Sequence, residues 1–387
     1  MTQPAQRVLL VNDHPEGSGI GRYVRSLYSA MVAKGSREVC PDLLLQNVSR
    51  TTAGDQWQGA AERDAGSRLL VQPRPRWAKQ RGYGAAYRLN GYYRFPRRIP
   101  PGYDLYHITS QMIGQSARQV RPVVVTVHDL VAVRFGANHP ALASWLGRRH
   151  LAAVREADWL IFISEHTRQD YLSLYEYPVE QTTVIHHGVS QSFVPGDRME
   201  SRKALGLPQH GTVLLHVGSE ERRKNVETLL EALALLARSD PDVLLVRVGG
   251  QSSRCQRLIA RLGLRRNVRY LGGLPEPVLV QCYQAADAFV FPSLLEGFGL
   301  PVLEALRSGC PVVASEASSI PEITGEAAVL VDPHDAAGMA NGVSRILSDT
   351  AFRKDLWTRG VARATAFSWE RAAELTLGVY RRVLLVA

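Results

Sequence analysis

The sequence predicts an α/β protein made of two doubly wound parallel sheets. Three observations carry that prediction. Short apolar runs alternate with helical stretches along most of the chain. The pattern starts at Arg7 and restarts at Thr212, after a turn-rich stretch. The 387 residues are also too many for one ordinary core.

In the first half, residues 7–12 read as the opening strand. The glycine loop Gly17-Ser18-Gly19-Ile20-Gly21 follows, and residues 23–33 read as a helix with apolar residues at helical spacing. Residues 69–72, 104–108, 123–127 and 159–163 are further short apolar strands. Residues 141–154 and 166–175 read as helices, and residues 183–189 close this half. Residues 190–197 are turn-rich and read as a linker.

In the second half, strands are expected at 212–218, 243–248, 268–271, 288–291, 311–314 and 328–331. Helices are expected at 225–238, 254–262, 277–286 and 335–348. Residues 368–383 form a last helix, with Ser368 as its N-cap and no strand after it. The expected division is 1–190, 191–367 and a terminal helix, 368–387, that packs back on the first domain.

Composition narrows the function classes. Hydrophobic residues are 45% and charged residues 21%, as in globular proteins. No apolar run reaches the ~18 residues of a membrane span. The first residues carry no signal-peptide pattern, so the cytoplasm is the expected compartment. Cys40, Cys255, Cys282 and Cys310 are scattered, with no metal-ligand spacing, and read as reduced thiols. No Asp, Glu and His set has metal spacing, so no metal and no cofactor are expected.

The net charge is +10. Part of it is concentrated in Arg74, Arg76, Lys79, Arg81, Arg88, Arg94, Arg97 and Arg98, interleaved with Trp77, Tyr83, Tyr87, Tyr92, Tyr93 and Phe95. Basic plus aromatic suits an anionic membrane surface or a lipid phosphate. It also suits nucleic acid, or simply a solvated loop.

The densest motif is residues 289–306, FVFPSLLEGFGLPVLEAL. A buried strand runs into a glycine-bearing loop, and a helix opens near Leu300-Pro301, where proline lacks only an N–H that would be unpaired anyway. Strand, glycine loop and helix N-terminus suit a phosphate. Glu296 and Glu304 bracket the turn as acceptors for sugar hydroxyls. Ser219-Glu220-Glu221-Arg222-Arg223-Lys224-Asn225 also follows a strand and opens a helix, so its cations suit a leaving diphosphate. An exposed charged turn is the bland reading.

The Gly17–Gly21 loop lacks the full G-x-G-x-x-G and a following acidic residue, which disfavours dinucleotide binding. It is a phosphate contact or a tight turn. His128-Asp129 ends the strand 123–127. There His128 can donate to a sugar hydroxyl, titrate near neutrality, or be structural. His186-His187 reads as structural.

Together these residues resemble the retaining glycosyltransferases of family 4, with the GT-B fold. The resemblance rests on the Gly17–Gly21 loop, Thr126-Val127-His128-Asp129, the Gly218–Asn225 turn, Glu296-x7-Glu304, the Gly309-Cys-Pro-Val-Val-Ala run and the terminal helix. It implies two Rossmann-like domains facing a central cleft, with an acceptor-binding first domain and a donor-binding second domain.

The resemblance also implies roles. Glu296 would touch donor-sugar hydroxyls and Glu304 the ribose hydroxyls. Backbone amides of Gly297, Phe298, Gly299 and Leu300 would surround sugar and diphosphate. Lys224 would hold the diphosphate, and Gly19, with Gly21 behind it, would approach it from the first domain. His128 would stand near the reacting centre. Many relatives carry Gly-Arg-Leu where this chain has Gly218-Ser219-Glu220. Ser219 therefore occupies the usual arginine position, and the arginine role passes to Arg223, with Arg222 as a substitute.

The expected catalytic set is His128, Arg223, Lys224 and Glu296, with Lys224 as a cleft-edge residue that supports little core. The expected partners are a nucleotide-sugar donor and a glycan or polyprenyl-diphosphate-linked acceptor of surface polysaccharide or glycolipid synthesis. Peripheral membrane contact would run through the Arg74–Arg98 segment, and no nucleic acid is expected. GDP-mannose is the preferred donor, with UDP-glucose or UDP-N-acetylglucosamine next. A sugar-nucleotide epimerase on the same fold and a basic nucleic-acid-binding protein are the competing readings. The first conflicts with the Glu296–Glu304 context, and the second leaves the glycine loops unexplained.

Overall fold

The computed structural model describes residues 5–14, 18–34, 39–48, 67–73, 95–135 and 141–386. The chain separates into two compact units, Met1–Gly188 with Trp369–Ala387, and Val189–Ser368.

The first unit is a parallel sheet of β1 (Gln6–Asn12), β2 (Val39–Val48), β3 (Leu69–Pro73), β4 (Leu105–Ile108), β5 (Val123–Val127), β6 (Trp159–Phe162) and β7 (Thr182–Val184). The spatial order is β3-β2-β1-β4-β5-β6-β7. β1, β4 and β5 are buried along both faces, as continuous apolar runs require.

β2 breaks the apolar pattern with Pro41 and Asp42, which hid it from the sequence reading. Pro41 precedes Leu43, where pairing with β3 begins, so its missing N–H breaks no bond on that side. Asp42 is fully buried. It pairs with Arg7 and accepts from the Arg68 N–H at 2.7 Å and the Tyr103 hydroxyl at 2.8 Å. It lies in the first half of β2, not at its end.

The C-terminal helix Trp369–Val386 belongs to this unit. Ala373, Leu377 and Tyr380 recur at helical spacing and share a core with Tyr23, Val24, Leu27 and Met31 of the helix Gly19–Lys34. A buried polar chain adds direction. The Tyr380 hydroxyl meets His107 Nδ1 at 2.6 Å, His107 Nε2 meets Thr126 Oγ1 at 2.7 Å, and Thr126 Oγ1 meets the Tyr23 hydroxyl at 3.1 Å.

The second unit holds β8 (Val213–Val217), β9 (Leu244–Val248), β10 (Val268–Gly272), β11 (Ala288–Phe291), β12 (Val312–Ser315) and β13 (Val329–Val331). The order is β10-β9-β8-β11-β12-β13. The winding direction reverses between β8 and β11, the place where open α/β sheets bind ligands at their carboxyl ends. The pairs Ala288↔Leu214 and Phe289↔Leu215 bring the ends of both strands level. The turns that leave them therefore start side by side.

Helices Arg198–Ala204 and Thr350–Ala364 were not expected from the sequence. The stretch read as a linker instead packs on the second unit. Gln284 Nε2 donates to Val194 O at 2.8 Å, and the Ser190 hydroxyl donates to Glu276 Oε1 at 2.9 Å. None of the four cysteines forms a disulfide. Among the described residues no helix is long and apolar enough to cross a membrane.

Buried histidines set an acid limit on stability. Burial lowers His107 to about 3 and His128 to about 4, and the neighbouring His128 and His14, respectively, add smaller repulsions. Both are neutral when folded, whereas the unfolded chain binds their protons below about pH 6.5. Their stabilisation is thus complete above that pH and is lost as pH falls towards 4. For His128 alone the loss is on the order of 3 kcal/mol. The melting temperature should fall steadily between pH 6.5 and 4.5. A flat profile down to pH 5 would contradict neutral burial.

Candidate functional site

The site is assembled where β8 and β11 end. After β8 the chain passes Gly218, at φ 147°, and turns through Arg222–Lys224 to Asn225. Asn225 is left-handed, at φ 52°, a conformation asparagine tolerates better than most residues. Its Nδ2 donates to Pro333 O at 2.6 Å and Pro292 O at 3.1 Å, which ties this turn to the chain after β11 and β13.

Lys224 is then held inward, 8% exposed, with Nζ 2.6 Å from Glu296 Oε1. Arg223 Nη1 lies 3.2 Å from Glu296 Oε2 and 3.3 Å from Leu295 O. The Leu294 N–H donates to Arg223 O at 2.7 Å, locking the two turns through the backbone as well.

Burial and charge compete here. Burial, the largest influence, pulls the Lys224 ammonium below its ordinary value, while Glu296 pulls it back. Burial alone would raise the Glu296 carboxyl. Lys224 and then Arg223 outweigh it and leave the group below its ordinary value. One carboxylate is thus shared by two cations at the switch point.

Lys224 is therefore not the cleft-edge residue expected from the sequence. It is a buried partner whose removal strands a buried carboxylate. Arg222 is exposed, and of the two arginines it is Arg223 that bonds Glu296. Ser219 is half-buried on the Gly218 side of the turn.

The loop after β11 is braced by residues the sequence reading missed. Ser318, at φ 64°, accepts from the Glu296 N–H at 2.9 Å and donates to Glu296 O at 2.5 Å. The Ser319 hydroxyl reaches Phe298 O at 2.8 Å. Phe298 is buried edge-on against Phe367, and Gly297 stays half-buried. Gly299 has φ 110°, which favours glycine, and a Cβ there would also push on Ile320 Cδ1 at 2.8 Å.

The helix Leu300–Arg307 opens directly after Gly299 with no side-chain cap. Its N-terminal end keeps the partial positive charge that suits an anion. Glu304 sits in this helix, 3% exposed, and its Oε2 accepts from the Tyr283 hydroxyl at 2.9 Å.

In the first unit, Gly21 N–H donates to the Ser18 hydroxyl at 3.0 Å at the start of the helix Gly19–Lys34. A Cβ at Gly19 would meet nothing within 4 Å, so packing does not demand glycine there. Gly17 lies outside the described residues.

His128 is 3% exposed, edge-on to Tyr23 and His187. Its Nε2–H donates to Thr109 O at 2.8 Å, which fixes the tautomer and leaves Nδ1 as an acceptor. With its pKa near 4 it does not titrate near neutrality, and Nδ1 accepts rather than donates a hydrogen bond. His187 stacks on Tyr23 at 4.7 Å, in keeping with a structural role. Residues 74–94 of the basic segment lie outside the described residues, while Arg97 and Arg98 are exposed. Among the described residues no three His, Cys, Asp or Glu are grouped to hold a metal ion.

A buried network under the first turn was also missed. Glu220 Oε2 accepts from the Ser252 N–H at 2.5 Å, and Oε1 accepts from the Tyr270 hydroxyl at 2.7 Å. Arg247, fully buried, lies 3.4 Å from Glu220 Oε1, reaches Gly218 O at 3.3 Å and donates to His216 Nδ1. The clue was present: His216 and Arg247 interrupt two apolar runs and pair across β8 and β9. A Cβ at Gly249 would sit 2.2 Å from Gly218 O, so β9 closes tightly on the same turn.

Comparison with known proteins decides the family. Residues 197–362 match the family described as Glycosyl transferases group 1, and residues 17–193 match Glycosyltransferase Family 4. The chain belongs to glycosyltransferase family 4.

It is similar to O-antigen chain mannosyltransferase B of Escherichia coli, 31% identical over 67% of this chain and 70% of that protein. It is also similar to D-inositol 3-phosphate glycosyltransferase of Corynebacterium diphtheriae, 33% identical over 72% of this chain and 70% of that one. Among solved structures, sucrose-phosphate synthase from Thermosynechococcus elongatus superposes with a TM-score of 0.78 and 25% identity, over 99% of this chain and 100% of that one. The architecture is the GT-B fold, and this family 4 member is a hexosyltransferase.

Glu220→Ala would strand the buried Arg247 charge and leave the Ser252 N–H and Tyr270 hydroxyl without their acceptor. Urea denaturation should show a loss of about 3 kcal/mol or more. A loss below about 1 kcal/mol would mean that the network does not hold the turn.

Proposed function

We propose that this glycosyltransferase moves a hexose with retention, from a nucleotide-sugar donor held by the second unit to a glycan or lipid-linked acceptor held by the first. The carrying observation is the Lys224–Arg223–Glu296 cluster at the β8/β11 reversal, 2.6 Å and 3.2 Å across its two ion pairs. A diphosphate brings more negative charge than one carboxylate. It would draw Lys224 and Arg223 to itself, with the N-terminus of the helix Leu300–Arg307 behind it. Glu296, released from its cations, would then accept from donor-sugar hydroxyls, and Glu304 would serve the ribose.

The anomeric carbon–oxygen bond to the diphosphate breaks as the acceptor oxygen bonds to the same face of that carbon. The acceptor proton passes to a leaving diphosphate oxygen. Lys224 and Arg223 stabilise the leaving charge in place of a metal ion. His128 Nδ1 is an acceptor fit for a sugar hydroxyl. Mannose from GDP-mannose is the preferred donor, supported by the likeness to the O-antigen mannosyltransferase. Exposed Arg97 and Arg98, at the end of the basic segment, support contact with an anionic acceptor or membrane face.

A thermal-shift panel tests this reading. Sugar nucleotides should raise the melting temperature, by about 2.7 kcal/mol of added stability at a hundredfold excess over Kd, with GDP-mannose the most effective. Lys224→Ala should start from a lower melting temperature, lose that response and lower turnover by roughly 10²-fold or more. No response to any sugar nucleotide, or an undiminished response and turnover in Lys224→Ala, would refute the proposal.

A further inference from the structure

The second unit carries a cavity at the other end of its strands. Its wall includes Asp287, just before β11, and Pro311, just before β12. β11 is four residues long, so this wall lies about 13 Å along the sheet from the Lys224–Glu296 turns. The cavity holds about 380 Å³, within the range of small-ligand sites.

The chemistry of the wall is one-sided. Its only carboxylate is consumed: Asp287 takes Arg198 at 2.6 Å on one oxygen, and Arg202 at 2.6 Å and the Val213 N–H at 2.8 Å on the other. Two arginines thus answer one aspartate. Arg353 and Lys354, on the helix Thr350–Ala364, add two further cations with no carboxylate partner among the described residues. Asp349, the exposed cap of that helix, accepts from the Phe352 N–H at 2.9 Å and forms no ion pair with either cation among the described residues.

The unsatisfied polar groups in the wall can all donate. Ser308 is 4% exposed, and its Oγ is buried without a hydrogen-bond partner. The Trp357 indole lies so close to Gly309 that a Cβ there would sit 2.3 Å from Nε1. That N–H has no hydrogen-bond partner among the described residues, and Trp357 is 42% exposed. Cations, a hydroxyl and an indole N–H around one cavity select an acceptor-rich anion with a body to fill the space.

We propose that this cavity is a second ligand site, separate from the donor site, for a small soluble phosphomonoester of about sugar-phosphate size. Arg353 and Lys354 would take the phosphate, and the indole face of Trp357 would cover the carbon body.

The test follows the Trp357 indole N–H signal in ¹H–¹⁵N spectra of the full chain, assigned with Trp357→Phe. A hexose 6-phosphate should shift it saturably, and chloride at equal ionic strength should not. The shift should persist in Lys224→Ala, where the donor site is damaged. Arg353→Ala/Lys354→Ala should weaken binding at least tenfold while melting like the wild type. The proposal is overturned if no saturable shift occurs or chloride reproduces it. It is equally overturned if the double variant binds as well as the wild type, or if Lys224→Ala abolishes the effect.

Discussion

Lys224 and Glu296 hold each other across the strands where the second sheet reverses its winding, and much of the geometry of the two turns there depends on that contact. Neither charge could be buried alone. Together with Arg223 they draw the two turns into one structure, which the backbone bond from Leu294 to Arg223 reinforces. Such a pair adds little net stability over an apolar substitute. What it supplies is a place where two cations are already gathered and desolvated. On the proposed function, an arriving diphosphate would meet them without having to order them first.

The supports around this contact explain why the turns keep their shape. Asn225 is bonded to Pro292 and Pro333, Ser318 clasps Glu296 through both its N–H and C=O, and Glu220 anchors the start of the turn to Arg247, Tyr270 and Ser252. Glycine is needed at Gly249, where a Cβ would collide with Gly218 O, and at Gly299, whose φ is 110°. In the first unit the equivalent order comes from the chain Tyr380–His107–Thr126–Tyr23. It fixes the returning helix to the sheet, while the Thr109 carbonyl separately holds His128 in a single tautomer.

The strands were legible because buried parallel strands are short, mainly apolar runs, and β1, β5, β8 and β11 all read that way, β8 with His216 as its one interruption. β2 was not, because Pro41 and Asp42 interrupt the run and only tertiary partners make Asp42 tolerable. The helix Thr350–Ala364 was hidden by its charged surface. Glu296, Lys224 and the glycine loop stood out as residues suited to sugar and phosphate. That Lys224 pairs with Glu296 could not be read, since 72 residues separate them and only the β8–β11 register brings them together. For His128 the donating and titrating readings could not be set aside from sequence for the same reason: the carbonyl of Thr109 and the surrounding rings, all distant in sequence, set its tautomer and its pKa.

The central claim is that Glu296 occupies the cations a diphosphate will take. Calorimetric titration of a nucleoside diphosphate into the wild type and Glu296→Gln tests it most directly. Removing the competing charge should tighten nucleoside diphosphate binding while sugar transfer falls. Binding that weakens in Glu296→Gln, in parallel with the lost transfer, would contradict the account.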